Sequence, residues 1–235
     1  MFTCSMVQTP EDTRRALFFH NLCEKNRAFL NSENRIPKVF HFIWLGPEDF
    51  PKGSVAHLKK WHALHPDWKM QLWTDRERPL PLSCMENRSV RTFSFHKLQD
   101  CYDNSDNFGE KSLALRYEVL FQEGGVYLDH DVEPRASLNP CNASYDFYCS
   151  LEELGPSILS SNVFPSPHLI GAVPRHPIFE KAMDWLAAHW EQMEIDFPGT
   201  DVPAIRNRVM HRSIAAFDEG VRERIDSPSF RDIVF

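Results

Sequence analysis

Apolar residues change their spacing several times along the chain, and each change marks an element. From residue 10 to 30, Leu17, Leu22, Phe29 and Leu30 give a helical apolar face behind Pro10, Glu11 and Asp12, which suit a first turn. KVFHFIWLG, from Lys38, is aromatic and β-branched and closes on Gly-Pro, which predicts a buried strand in which His41 is structural. VAHLKKWHAL returns to helical spacing at Val55, Leu58, Trp61 and Leu64, and stops at His65-Pro66. MQLWTD predicts a second strand. Residues 76–110 are polar, broken by Pro79 and Pro81, and read as a long irregular excursion.

Residues 111–123 predict a helix stopped by Gly124-Gly125, and VYLD a third strand. YDFYC, ILSSNVF and HLIGAV are further strand candidates. HPIFEKAMDWLAAHWEQM puts Phe179, Ala182, Leu186, Trp190 and Met193 on one helical face, and another helix is expected from Pro203 to Phe217, ending at Gly220. FRDIVF reads as the start of a strand, so the fold is expected to lack its last segment. Strands alternating with helices predict one α/β domain, a mostly parallel sheet flanked by helices, over residues 36–235. Residues 1–35 form an N-terminal helical extension in this reading.

Composition narrows the class. Hydrophobic residues make up 42% of the 235-residue chain and charged residues 25%, enough for a real core. The net charge of -7, without a Lys/Arg cluster, argues against nucleic acid as a partner. No apolar run approaches the roughly 18 residues of a membrane span, and MFTCSMVQTPEDTRR lacks the basic and apolar regions of a signal peptide. The expected location is the cytoplasm, or outside the producing cell as an effector exported without such a signal. Six scattered cysteines without a CxxC pair read as reduced, packed thiols. The NxS sequons at Asn87 and Asn142 lack a secretory context.

Candidate chemistry concentrates in GGVYLDHDVEP, residues 124–134. If the strand continues through it, Asp129 and Asp131 point to one side and His130 to the other. At the carboxyl end of a sheet strand they sit where α/β proteins bind ligands. Two close carboxylates repel unless a cation intervenes, and oxygen ligands suit Mg²⁺ or Mn²⁺ with phosphate oxygens completing the shell. A bare DxD is weak evidence, since a solvated strand end looks the same. The preceding helix adds Arg116, whose guanidinium is placed to reach the same diphosphate.

IPKVFHFIWLG, HPDWKMQLWTD, KSLALRYEVLFQEGGVYLDHDVEP and SSNVFPSPHLIGAVPRHPIFEKAM, in that order, resemble the glycosyltransferases with a DXD sugar-binding region. These form glycosyltransferase family 32, related to yeast-type mannosyltransferases and the glucosyltransferase domains of large clostridial toxins. The resemblance covers about residues 36–185. It implies a GT-A (Rossmann-like) fold, a UDP- or GDP-linked sugar donor, Mn²⁺ or Mg²⁺, and transfer to a protein, lipid or glycan with retention of configuration. By position it implies that Asp131 binds the metal directly, while Asp129 acts through water and contacts to the donor's ribose or sugar. It places Arg116 near the donor's phosphates and sugar, Trp44 against its base, Tyr127 in the donor pocket and Asn162 near the transferred sugar.

One position departs from the family. Where it commonly has S-D-x-x-R before the double glycine, this chain has Ser112-Leu113-Ala114-Leu115-Arg116, and leucine accepts no hydrogen bond from a sugar hydroxyl. A catalytically impaired binding module is therefore an alternative. A DxD phosphatase of the haloacid-dehalogenase type is another, but Glu133 stands where that pattern wants Thr or Val.

Overall fold

Strand β1, Val39–Ile43, sets the two faces of the sheet by its alternation. Phe40 and Phe42 enter one apolar layer, with Met70 and Leu72 of β2 (Lys69–Thr74) and with Leu58 and Trp61 of α2 (Val55–Leu64). Ile43 and Trp73 enter the other. Here His41 accepts from Trp73 Nε1 at 3.1 Å and donates to Gly124 O at 2.9 Å. Burial lowers the His41 pKa to about 4, so it is a neutral core histidine, as the sequence indicates.

The computed structural model describes residues 7–27, 35–153, 161–225, 227 and 229–235. After α1 (Pro10–Asn26), β1, α2 and β2, the chain forms β3 (Met85–Ser89), α3 (Gln99–Asn104), α4 (Phe108–Glu123) and β4 (Gly125–Leu128). It continues through α5 (Asn139–Ser144), β5 (Phe147–Glu153), β6 (Val163–Ala172), α6 (Pro177–Asp196), α7 (Val202–Arg224) and β7 (Asp232–Val234). Among the described residues the strands form one sheet, in the order β3-β2-β1-β4-β6-β5-β7. Pairing is parallel from β3 through β4 and between β5 and β7, and antiparallel on both sides of β6. This is the expected mostly parallel sheet, with α4, α6 and α7 supplying the apolar cover on the Trp73 face.

Three expectations need correction. Residues 76–110 are not wholly irregular: β3 pairs with β2 at the sheet edge, and α3 precedes α4. MENRS escaped notice because only Met85 of its five residues is buried, so an edge strand shows no apolar alternation. The helix expected from Pro203 does not end at Gly220, which α7 passes on its way to Arg224. Gly220 is there for contact: a Cβ would lie 2.5 Å from Ile178 O. HLIGAV and the end of ILSSNVF are one ten-residue strand, β6, while residues 154–160 lie outside the described set.

Two interactions tie distant segments to this frame. In α1, Arg15 ion-pairs with Asp218 of α7 and donates to Val163 O at 2.7 Å. In β7, Asp232 meets His176, the N-cap of α6, at 2.9 Å with both side chains fully buried. Gly125 enters β4 at φ 95°, and an added Cβ would lie 2.5 Å from Val39 Cγ1. Gly125→Ala is expected to cost about 2–3 kcal/mol through backbone strain and overpacking, read as a lower urea midpoint. An unchanged midpoint would contradict the close β4–β1 approach.

Candidate functional site

Strand β4 ends at Leu128, one residue before the motif. Asp129 N–H still donates to His168 O of β6 at 2.9 Å, and Val132 N–H closes a turn on Asp129 O at 3.2 Å. The expected split, both aspartates to one side and His130 to the other, therefore does not hold. A turn has no two-residue alternation, and Asp129, His130 and Asp131 all line one cavity of about 410 Å³. That cavity lies at the carboxyl ends of β1 and β4, where parallel strands leave backbone groups and loops free to bind ligands. A larger space of about 640 Å³, between the loop before α4 and the α6–α7 pair, contains none of the motif residues.

Three elements build the cavity walls. The segment after β1 contributes Trp44, Leu45, Pro47 and Glu48; the first turns of α4 contribute Phe108, Gly109, Ser112 and Arg116; β4 contributes Tyr127. Asn107 caps α4, its side chain accepting from Gly109 N–H and Glu110 N–H. Trp44 is half-buried, donates Nε1–H to Glu48 O at 2.9 Å, and meets the His130 ring edge to face at 5.1 Å. His130 Nδ1 lies 2.7 Å from Ser54 Oγ, which fixes the ring against the indole.

Asp129 is the most heavily engaged group. Its Oδ1 accepts from Tyr127 OH and lies 3.5 Å from Arg116 Nη2, while its Oδ2 meets His168 Nδ1. Arg116 is buried, donates to Pro167 O at 2.7 Å and Tyr127 OH at 3.0 Å, and stacks over the Tyr127 ring. Burial alone would raise the Asp129 carboxyl, but the Arg116 charge and the hydrogen bonds from His168 and Tyr127 bring it down to about 2. Burial raises the Tyr127 phenol, which stays neutral and able to donate.

Asp131 is different. It is exposed on the cavity rim, with no hydrogen bond to any described residue. No group of three or more His, Cys, Asp or Glu side chains among the described residues is arranged to hold a metal. The residue here that could hold a hard cation is Asp131, whose carboxylate would leave phosphate oxygens of a substrate and water as the other ligands. Both oxygens of Asp129 are already bonded within the protein.

Of the residues singled out in the sequence, Trp44, Arg116, Tyr127, Asp129 and Asp131 converge on this cavity. Asn162 does not line it: its backbone and side-chain N–H groups donate to Asp12 of α1, and its Oδ1 is buried without a partner. Leu113 packs in the core at 2% exposure, so Ser112 and Arg116, one turn apart, form the inner face of α4. Sequence reasoning missed His168 and Glu152. In HLIGAV the histidine reads as an ordinary strand residue, and only the β4–β6 register brings it beside Asp129.

His168 Nε2 lies 3.1 Å from Glu152 Oε2, so its two ring nitrogens face two carboxylates. The bonds to Asp129 and then Glu152 outweigh burial and raise its pKa to about 9. A group whose pKa is raised by folding stabilises fully below its unfolded value and loses that contribution as pH rises through the folded value. The stability difference between wild type and His168→Gln, modest because the ring is half exposed, is expected to be level between about pH 5 and 6.5 and to shrink as pH rises toward 9. Denaturant melts across that window check it; a difference that grows with pH would contradict the pairing.

Comparison with known proteins agrees with the resemblance read from the sequence. The family described as "Glycosyltransferase sugar-binding region containing DXD motif" matches residues 51–148. A mannosyl phosphorylinositol ceramide synthase of Saccharomyces cerevisiae is 32% identical over 148 residues, 63% of this chain and 34% of the yeast protein. The chain thus spans about a third of that relative. Among solved structures, the PaToxG glycosyltransferase matches with a TM-score of 0.59 at 14% identity, over 91% of this chain and 80% of that one. The catalytic domain of alpha-toxin from Clostridium novyi matches with a TM-score of 0.54 at 10% identity, over 91% and 67%. At these identities the likeness concerns the fold, which is GT-A-like.

Proposed function

We propose that this chain transfers a sugar from a nucleotide-diphosphate donor to a hydroxyl-bearing acceptor, with a divalent cation and retention of configuration. One observation carries the reading. A single cavity is lined by an indole, a buried guanidinium and a free carboxylate, from Trp44, Arg116 and Asp131, at the ends of two parallel strands. The match to the DXD glycosyltransferases supports it.

In this reading Trp44 offers the base an apolar platform, held in place by its bond to Glu48 O and by the His130 edge. Asp129, anchored by Arg116 and ionised at neutral pH, accepts hydrogen bonds from donor hydroxyls. Arg116 sets a fixed positive charge at the base of the cavity without reorganisation. Asp131 holds the cation, Mn²⁺ or Mg²⁺. When bound, the cation supplies Lewis-acid stabilisation of the departing diphosphate. No side chain is assigned as nucleophile, since a retaining transfer in which the acceptor enters on the leaving-group side needs none.

The test is nucleotide release from a panel of UDP- and GDP-linked sugars with Mn²⁺. Turnover of one donor is the expected result. Nucleotide binding without turnover of any sugar would replace the transferase with a binding module, the reading that Leu113 favours. Phosphate release from a monoester would replace it with a phosphatase.

A further inference from the structure

We propose that His168 and Glu152 are positioning residues for the first acid of the motif: together they hold Oδ2 of Asp129, so that the carboxylate keeps one orientation in the cavity wall. The inference rests on the transferase reading for its kinetic consequence, though not for its geometry.

Three side chains on three neighbouring segments form the device. Asp129 follows β4, His168 lies on β6 and Glu152 on β5. His168 Nδ1 grips Asp129 Oδ2 from the side opposite Arg116 and Tyr127. Glu152 Oε2 lies 3.1 Å from His168 Nε2 and accepts from Ser166 Oγ at 3.1 Å. The backbone makes the pairing reproducible, because Asp129 N–H donates to His168 O one step beyond the Leu128–Leu169 pair.

Two considerations separate a positioning role from simple stabilisation. The His168 side chain is 49% exposed and Glu152 28%, and ion pairs this open add little to stability. Their effect on orientation is larger. The terminal torsion of an aspartate is broad, so a carboxylate held only through one oxygen swings. Held from both sides, Asp129 stays still, and Asp131 is left as the flexible, available acid. Outer partners that orient a metal-ligating side chain are worth about 10–100-fold in activity or affinity, and a loss on the same scale is expected for a substrate-binding carboxylate.

The experiment compares His168→Ala, His168→Asn and Glu152→Ala with wild type, reading donor KM and kcat separately beside thermal melting. The alanine variant at 168 is expected to lose about 10–100-fold in kcat/KM, mainly through donor KM, with the melt little changed. Asn replaces the ring with an amide that donates from the Nδ1 position, and is expected to regain most of the loss. Glu152→Ala is expected to fall between them. Wild-type kcat/KM in H168A, or H168N no better than H168A, would overturn the proposal. Should wild type turn over no nucleotide sugar, the transferase reading fails by itself. The crystal structure of H168A then decides the positioning: a turned Asp129 carboxylate upholds it, and an unmoved one overturns it.

Discussion

Asp131→Asn is expected to abolish metal-dependent nucleotide release, with a loss of about 10²–10³-fold in kcat, while the melting temperature stays within about 2 °C of wild type. The two halves of this expectation have separate causes. Asp131 is exposed and bonds no described residue, so an isosteric amide removes no contact of the fold. Its only identified task is to present charge and a lone pair to a hard cation, and an amide oxygen carries no net charge with which to do so. Losing several kcal/mol of leaving-group stabilisation gives the stated factor. Nucleotide release followed against Mn²⁺ concentration checks it, and full activity in D131N would remove Asp131 from the metal assignment. Asp129→Asn serves as the contrast. That change disturbs Arg116, Tyr127 and His168 together and is expected to lower the melt as well.

The second large effect belongs to Arg116→Met, which is expected to cost about 3 kcal/mol of stability and, by removing a preorganised donor, about 10²–10³-fold in activity. The guanidinium reaches Pro167 O, Tyr127 OH and Asp129 from one buried position, and methionine satisfies none of them. Arg116→Lys is expected to restore part of the stability and little of the activity, since one ammonium does not reproduce a planar fork of donors. The loss also has a pH signature. Asp129, lowered from 3.8 to about 2 mainly against its burial by Arg116, contributes stability above pH 3.8 that is lost as pH falls through 2. Without Arg116 that contribution shrinks, so the stability gap between wild type and R116M is expected to narrow in acid. A gap independent of pH would mean that Arg116 acts by packing over Tyr127 alone.

The architecture was legible where one apolar face dominates an element. Phe40 and Phe42 in β1, Leu58 and Trp61 in α2, and the Phe179–Leu186–Trp190 face of α6 each repeat at the period of their element. Edge strand β3 was not legible because it buries one residue of five. Most of the site was readable for another reason. Arg116, Tyr127, Asp129 and Asp131 lie within sixteen consecutive residues, on one helix–glycine–strand unit whose geometry is local. Trp44 was added by resemblance rather than by spacing.

What the sequence determined by itself, then, is the alternation of the strongly apolar strands and helices, the mostly parallel sheet they form, and a cluster of charge after the strand that is β4. Only the tertiary structure decided how that charge is shared. Its pairing of β6 with β4 brings His168 to Asp129 across 39 residues of chain, and β5 adds Glu152. It also sends Asn162 to Asp12 and Leu113 into the core. The physical reason is range. Periodicity reports which face of an element is dry, a property of a few neighbouring residues. Which carboxylate is pinned and which is free depends on strand register, and register is settled by contacts between segments remote in sequence.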